Sequence, residues 1–154
     1  DSNYFGGFPK ETRMVHWPKI KLDVNLDVSR PIFVLEGAVE LGQIDSRTYC
    51  SAVKKIVGQY SKEKNYIKFH PKNTIDAKNK YLQMFKDIGV EVEELPMNVP
   101  FELILVNYEH LSLVGFGTSL LFYGKAMGHN VVSREDYLLS SRRYRSYVKG
   151  LQKI

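Results

Sequence analysis

The sequence predicts an α/β domain with a mostly parallel sheet, and three observations carry that prediction. Short apolar runs alternate with stretches of helical periodicity from Pro31 onward. The connections between them are short, which is the rhythm of helices covering a parallel sheet. Polar and glycine-rich clusters follow three of the apolar runs directly: Glu36 to Gly42, His70-Pro71-Lys72, and Gly115 to Ser119. In parallel sheets ligands bind beyond the carboxyl ends of the strands, so clusters far apart in sequence are expected on one rim.

The chain has 154 residues, 44% hydrophobic and 25% charged, which suits one domain with a real core. It carries no apolar run long enough to span a bilayer and no signal-peptide pattern. It begins at Asp1 and is expected to be part of something longer. A single cysteine, Cys50, excludes an internal disulfide and a Cys-rich zinc site, and fits a buried thiol in a reducing compartment. The net charge of +5 points to an anionic partner: nucleic acid, an acidic membrane surface or a phosphorylated donor.

Residues 1–30 read as irregular, a linker or the remnant of an inter-domain connection, because Gly6-Gly7-Phe8-Pro9 and Trp17-Pro18 interrupt regular structure. Within them Lys19 to Val24 alternates polar and apolar, the pattern of a short strand with one wet face. Phe8 and Trp17 are expected to pack on the core or on a further domain. Residues 31–154 form the expected domain. Pro31 to Leu35 is a nearly continuous apolar run, as in a central strand covered on both faces. Asp45 or Ser46 caps a helix whose Tyr49, Val53, Ile56, Val57 and Tyr60 form one stripe. Tyr66 to Phe69 is the next strand. Asn73 or Thr74 caps a helix with Ile75, Leu82, Phe85 and Ile88 inward, stopped at Gly89.

Val90 to Val92 reads as a weak strand near an edge. Phe101 to Val106 follows Pro100, which favours a short helix, although the apolar run also fits a strand. Leu111 to Gly115 is a strand, and Thr118-Ser119 opens a helix running to about Gly128. Asn130 to Val132 is the last strand. Ser133 to Asp136 resembles a cap for one terminal helix carrying Tyr137, Leu138, Tyr144, Tyr147, Val148 and Leu151 on its apolar side. The whole is a Rossmann-like sheet with helices on both faces, although neither the full dinucleotide glycine pattern nor the phosphate-loop lysine motif is present.

The rim residues suggest anion chemistry. Gly115, Gly117, Thr118 and Ser119 place a close-approach turn, two hydroxyls and a helix N-terminus together, which is the outline of a phosphate cradle. His70, restrained by Pro71, stands directly after a strand, where it can donate to a phosphate or protonate a leaving group. Lys68 and Lys72 flank it with positive charge. Glu102, at a helix start, can accept from both hydroxyls of a ribose or simply oppose the helix dipole. Glu40 and Asp45 are the loop carboxylates available as a general base. No pair of histidines has zinc spacing and the G-x-S-x-G elbow is absent, so neither a metal site nor a serine hydrolase is expected.

Taken together, His70-Pro71, Pro100-Phe101-Glu102 and Thr118-Ser119, separated by roughly thirty and sixteen residues, resemble the motifs of bacterial sialyltransferases of the lipooligosaccharide and polysialyltransferase type. The resemblance covers about residues 31–132. It implies the C-terminal, nucleotide-binding half of a GT-B-type glycosyltransferase and CMP-sialic acid as donor, with no cofactor and no metal. It implies that His70, with Pro71 and Lys72, meets the donor phosphate and assists departure of CMP. Gly117, Thr118 and Ser119 would bind the same phosphate, and Glu102 the ribose. The family's Asp/Glu-Asp/Glu-Gly motif, which supplies the base, is matched only by Glu40-Leu41-Gly42, with one acidic residue. Glu40 is therefore assigned as catalytic by that match. The acceptor would be a cell-surface glycan. A bacterial cytoplasmic location, peripheral on the inner membrane, is the corresponding expectation.

Two other readings stay open from the sequence. One is a GT-B enzyme that uses another nucleotide sugar. The other is a binding module for nucleic acid or an acidic membrane, because Arg142, Arg143, Arg145, Lys149 and Lys153 interleave with Tyr144 and Tyr147. The tyrosines fall at core spacing, which disfavours nucleic acid and leaves a charged outer face suited to anionic lipid.

Overall fold

The computed structural model describes residues 21–151. Five strands make one all-parallel sheet: β1 (Ile32–Val34), β2 (Lys64–Lys68), β3 (Glu91–Glu94), β4 (Ser112–Gly115) and β5 (Asn130–Ser133). Their order is β3-β2-β1-β4-β5, with Phe33 opposite Ile67 on one side and Val114 on the other. This is a Rossmann-like α/β fold. The chain winds outward from β1 to β3, then returns across the sheet to β4 and β5. The direction of winding therefore reverses between β1 and β4, and a crevice opens above their carboxyl ends.

Alternation along the strands decides which helix covers which face. Phe33, Leu35, Ile67, Val114 and Phe116 turn toward α1 (Ser46–Tyr60) and α2 (Ile75–Asp87). Ile32, Val34, Tyr66 and Leu113 turn toward α3 (Phe101–Asn107) and α4 (Ser119–Ala126). β1 is buried on both faces, as its unbroken apolar run predicts. β3 carries three glutamates and a single valine, as suits an edge. Asp45 caps α1 by accepting from the Thr48 amide at 2.8 Å, and Thr74 caps α2 through Ala77. The segment after Pro100 is the helix α3 rather than a strand.

Ile75 and Ile88, expected inward on the second helix, are exposed instead, and Tyr81, Met84 and Phe85 form its buried face. Two further expectations are corrected. Among the described residues 21–24 there is no strand; residues 19 and 20, Phe8 and Trp17 lie outside the described residues. Leu22, Val24 and Leu26 instead pack on the α3–α4 side of the sheet. Their backbone is held by tyrosine hydroxyls: Leu26 N–H donates to Tyr108, whose hydroxyl donates to the Val24 carbonyl at 2.5 Å, and Asp27 N–H donates to Tyr66. Side-chain partners thus satisfy groups that a strand would give to a neighbour.

The second correction concerns the C-terminus, where one helix becomes two. A 3-10 segment spans Glu135–Ser140, and α5 (Arg142–Leu151) follows after a break at Ser141. Ser141 is extended at ψ 124°. Its hydroxyl accepts from the Tyr144 amide and lies 3.3 Å from the Asp45 carboxylate, so a buried serine caps a new helix. Leu138, Tyr144 and Val148 join the core of the α1–α2 face. Among the described residues no helix is long and apolar enough to cross a membrane.

Candidate functional site at the switch point

Each strand that reaches the crevice delivers one polar segment. β1 delivers Glu36 and Gly37, β2 delivers His70, β4 delivers Gly117 to Ser119, and β5 delivers Glu135. Three of them are fitted closely. A Cβ on Gly37 would stand 2.7 Å from His70 Nδ1, so the absent side chain lets the loop after β1 rest on the imidazole. A Cβ on Gly117 would stand 2.8 to 3.1 Å from the Glu135 carboxyl group. Gly115, the last residue of β4, has its Cβ position 2.7 Å from the Val34 carbonyl, which keeps β1 and β4 close beneath the crevice.

His70 is oriented by its own turn. Its ring Nδ1 accepts from the Lys72 amide at 3.0 Å, and its amide donates to Asn73 Oδ1 at 2.9 Å. An accepting Nδ1 puts the proton of the neutral ring on Nε2, which makes Nε2 a donor. Asn73, read from sequence only as a possible helix cap, also donates to the Glu36 carbonyl at 3.4 Å and so ties the β2 turn to the β1 turn. Pro71 and Lys72 are exposed on the outer side of this turn.

At the start of α4, Thr118 is the N-cap, its hydroxyl accepting from the Leu120 amide at 3.3 Å. Ser119 is exposed. Among the described residues, the amides of Gly117, Thr118 and Ser119 meet no protein acceptor. The turn therefore retains donors and the positive end of a helix dipole for an anion. Glu102 is exposed in the first turn of α3, which packs beside α4 on the same face, so both helices start at this rim. Glu102 also acts electrostatically on Lys68.

Lys68 corrects the sequence reading. It does not add charge to the rim beside His70, because it is buried beneath the α3 side with its ammonium donating to the carbonyls of Pro96 and Val99 at 2.7 and 3.1 Å. Side chains alternate along a strand, so Lys68 shares the face of Tyr66. Burial pulls its pKa down, partly offset by Glu102. It secures the loop that leads into α3.

The carboxylates are arranged differently from the sequence expectation. Asp45 is committed to capping α1, and those hydrogen bonds, led by the Thr48 amide, hold its pKa below the usual range. Glu40 carries a buried Oε2 without a hydrogen-bond partner. Glu36 is strongly perturbed. Its Oε1 is also buried without a partner, and burial first, then the charge of Glu135, raises its pKa to about 7. Its backbone is anchored by Tyr49, whose hydroxyl accepts from the Glu36 amide at 2.8 Å. Glu135 in turn accepts from the Tyr144 hydroxyl at 2.9 Å. Two carboxyl groups, one after β1 and one after β5 on either side of β4, thus face one crevice, one of them with a proton-transfer range near neutrality.

The sequence marks Glu135 only as part of a helix cap, Tyr144 only as an apolar-side residue among basic ones, and Glu36 only as the first residue of a loop. An acidic residue directly after a fully buried strand, followed by glycine, was the available signal for Glu36. Among the described residues no group of three or more His, Cys, Asp or Glu side chains is arranged to hold a metal ion. No family model matches this chain, and neither the curated proteins nor the solved structures contain a match to it.

Proposed function

We propose that this chain is the donor-binding domain of a GT-B-type sialyltransferase, taking CMP-sialic acid at the switch-point rim and serving a glycan acceptor. The observation that carries the proposal is convergence. The His-Pro turn, the start of α3 with Glu102 and the Gly-Thr-Ser start of α4 all lie at the carboxyl end of one parallel sheet. They are the three segments by which the sequence resembles the family.

In this reading the donor phosphate lies against the amides of Gly117 to Ser119 and the Ser119 hydroxyl, with Glu102 accepting from the ribose. The acceptor hydroxyl attacks the anomeric carbon as the bond to the phosphate oxygen breaks. The phosphate leaves with CMP, and His70 Nε2–H donates to it as charge develops. The acceptor's proton goes to a carboxylate. Glu36 fits that role, because a base is most effective when its pKa lies near the working pH and that of Glu36 is raised to about 7. Helix dipole, hydroxyls and imidazole supply the charge stabilisation, so the step needs no metal.

Calorimetric titration with CMP and UMP tests the reading. Wild-type chain is expected to bind CMP more tightly than UMP. Ser119→Ala is expected to weaken CMP about ten-fold, the size of one hydrogen bond to a charged group. Equal affinity for the two nucleotides would favour a GT-B enzyme with another donor, and a Ser119→Ala variant that binds like wild type would remove the phosphate from this turn.

A further inference from the structure

The face built by α1 and α5 carries a charge pattern that the rim does not use. From Ser46 to Tyr60 there are three cationic residues, Arg47, Lys54 and Lys55, and no acidic one. From Tyr137 to Leu151 there are four, Arg142, Arg143, Arg145 and Lys149, and again no acidic one. All seven are exposed. The 3-10 segment packs against both helices and joins them into one surface. The acidic residues Glu91, Glu93 and Glu94 lie on β3, at the edge of the sheet remote from β5.

Between α1 and the 3-10 segment runs a groove of about 550 Å³ lined by Arg47, Ser51, Lys55, Arg134, Tyr137 and Ser140. Asp136 also lines it, but its charge is taken by Arg134 at 2.8 Å. Leu139 and Tyr147 stand exposed on the 3-10 segment and on α5, 40% and 37% accessible.

We propose that this face docks on an anionic lipid bilayer, with the switch-point rim left open beside the membrane. Two features favour a bilayer over nucleic acid. The cations are spread over helices about 22 and 15 Å long, a broad field rather than a track for one phosphodiester strand. Nucleic-acid grooves add aromatic platforms for bases; here the ring of Tyr137 is already occupied by Lys55 at 3.9 Å and Arg134 at 4.0 Å. Leu139 and Tyr147, apolar or amphipathic and beside the cations, suit the headgroup layer. The proposal does not depend on the sialyltransferase reading.

Vesicle co-sedimentation of the purified chain decides the matter, with phosphatidylcholine vesicles compared with vesicles of phosphatidylcholine and phosphatidylglycerol. Binding is expected only with phosphatidylglycerol and is expected to fall steeply with added salt. Each juxtamembrane cation contributes roughly five-fold. The quadruple variant Lys54→Gln, Lys55→Gln, Arg143→Gln, Lys149→Gln is therefore expected to lose on the order of a hundred-fold or more. The pair Arg47→Gln, Arg142→Gln is expected to lose about twenty-fold, a second handle should the quadruple variant fold poorly. A charge-matched control, Lys21→Gln, Lys64→Gln, Lys86→Gln, Lys125→Gln, removes the same charge away from this face and is expected to bind nearly as wild type. Failure to bind phosphatidylglycerol vesicles overturns the proposal, as does equal weakening by the control. Face-dependent binding of a single-stranded oligonucleotide without vesicle binding assigns the surface to nucleic acid instead.

Discussion

Glu36→Gln is expected to make the protein more stable above pH 7, by up to about 3 kcal/mol. The cause is the buried carboxyl, whose pKa is raised from 4.5 to about 7, first by burial and then by Glu135. The folded state holds this proton more tightly than the unfolded chain does. The carboxyl therefore costs no stability below about pH 4.5. The cost grows as pH rises through the window from 4.5 to about 7, and it is complete above that. Glutamine keeps the shape and removes the charge, so the variant should lack this contribution to the pH slope. Urea denaturation at pH 4 and pH 8 reads both effects. The gain should be near zero at the lower pH and largest at the higher. A variant that is less stable than wild type at pH 8 would mean that the Glu36 carboxylate is satisfied in the folded protein. A carboxyl so perturbed, in a crevice where the strand order reverses, is a candidate functional group.

Tyr49→Ala is expected to cost at least about 4 kcal/mol, the upper part of the range for deleting a buried aromatic ring. Tyr49 is 0% exposed, its ring lies 5.4 Å from Phe116 and 5.9 Å from Tyr81, and its hydroxyl holds the Glu36 amide. Tyr49→Phe keeps the ring and loses only the hydroxyl, so about 1 to 2 kcal/mol is expected. The difference separates packing from anchoring. The Phe variant should also weaken nucleotide binding, because the loop after β1 loses the group that pins it over His70. If both variants cost the same, the ring contributes nothing beyond its hydroxyl, and the description of this core fails.

Much of the fold is legible in the sequence because it is written in local signals. Pro31 to Leu35 is apolar without interruption, and it forms the strand that is covered on both sides. Thr74 and Thr118 stand where caps are needed and they cap. The rim itself follows from parallel topology, which puts the clusters at Glu36, His70 and Gly115 to Ser119 at one end of the sheet. The rest depends on relations that sequence spacing does not encode. Glu135 meets Gly117 because β5 lies beside β4, and a strand order is not written in either residue. Glu36 differs from Glu40 in its tertiary surroundings, since Glu135 adds its charge to the burial of Glu36. Lys68 leaves the rim because the carbonyls of Pro96 and Val99 take two of its ammonium donors. The break at Ser141 reflects a serine whose hydroxyl reaches both Asp45 and the next helix, a contact across 96 positions of sequence.

The central claim is that the donor phosphate sits at the start of α4, facing His70. Backbone amide NMR of the full chain titrated with CMP tests that claim most directly. The account predicts the largest shifts at Gly117, Thr118, Ser119 and His70, with smaller ones at Glu102 and Gly37. Shifts confined to the groove of Arg47, Lys55 and Arg134, with the α4 start unmoved at saturating CMP, would contradict it.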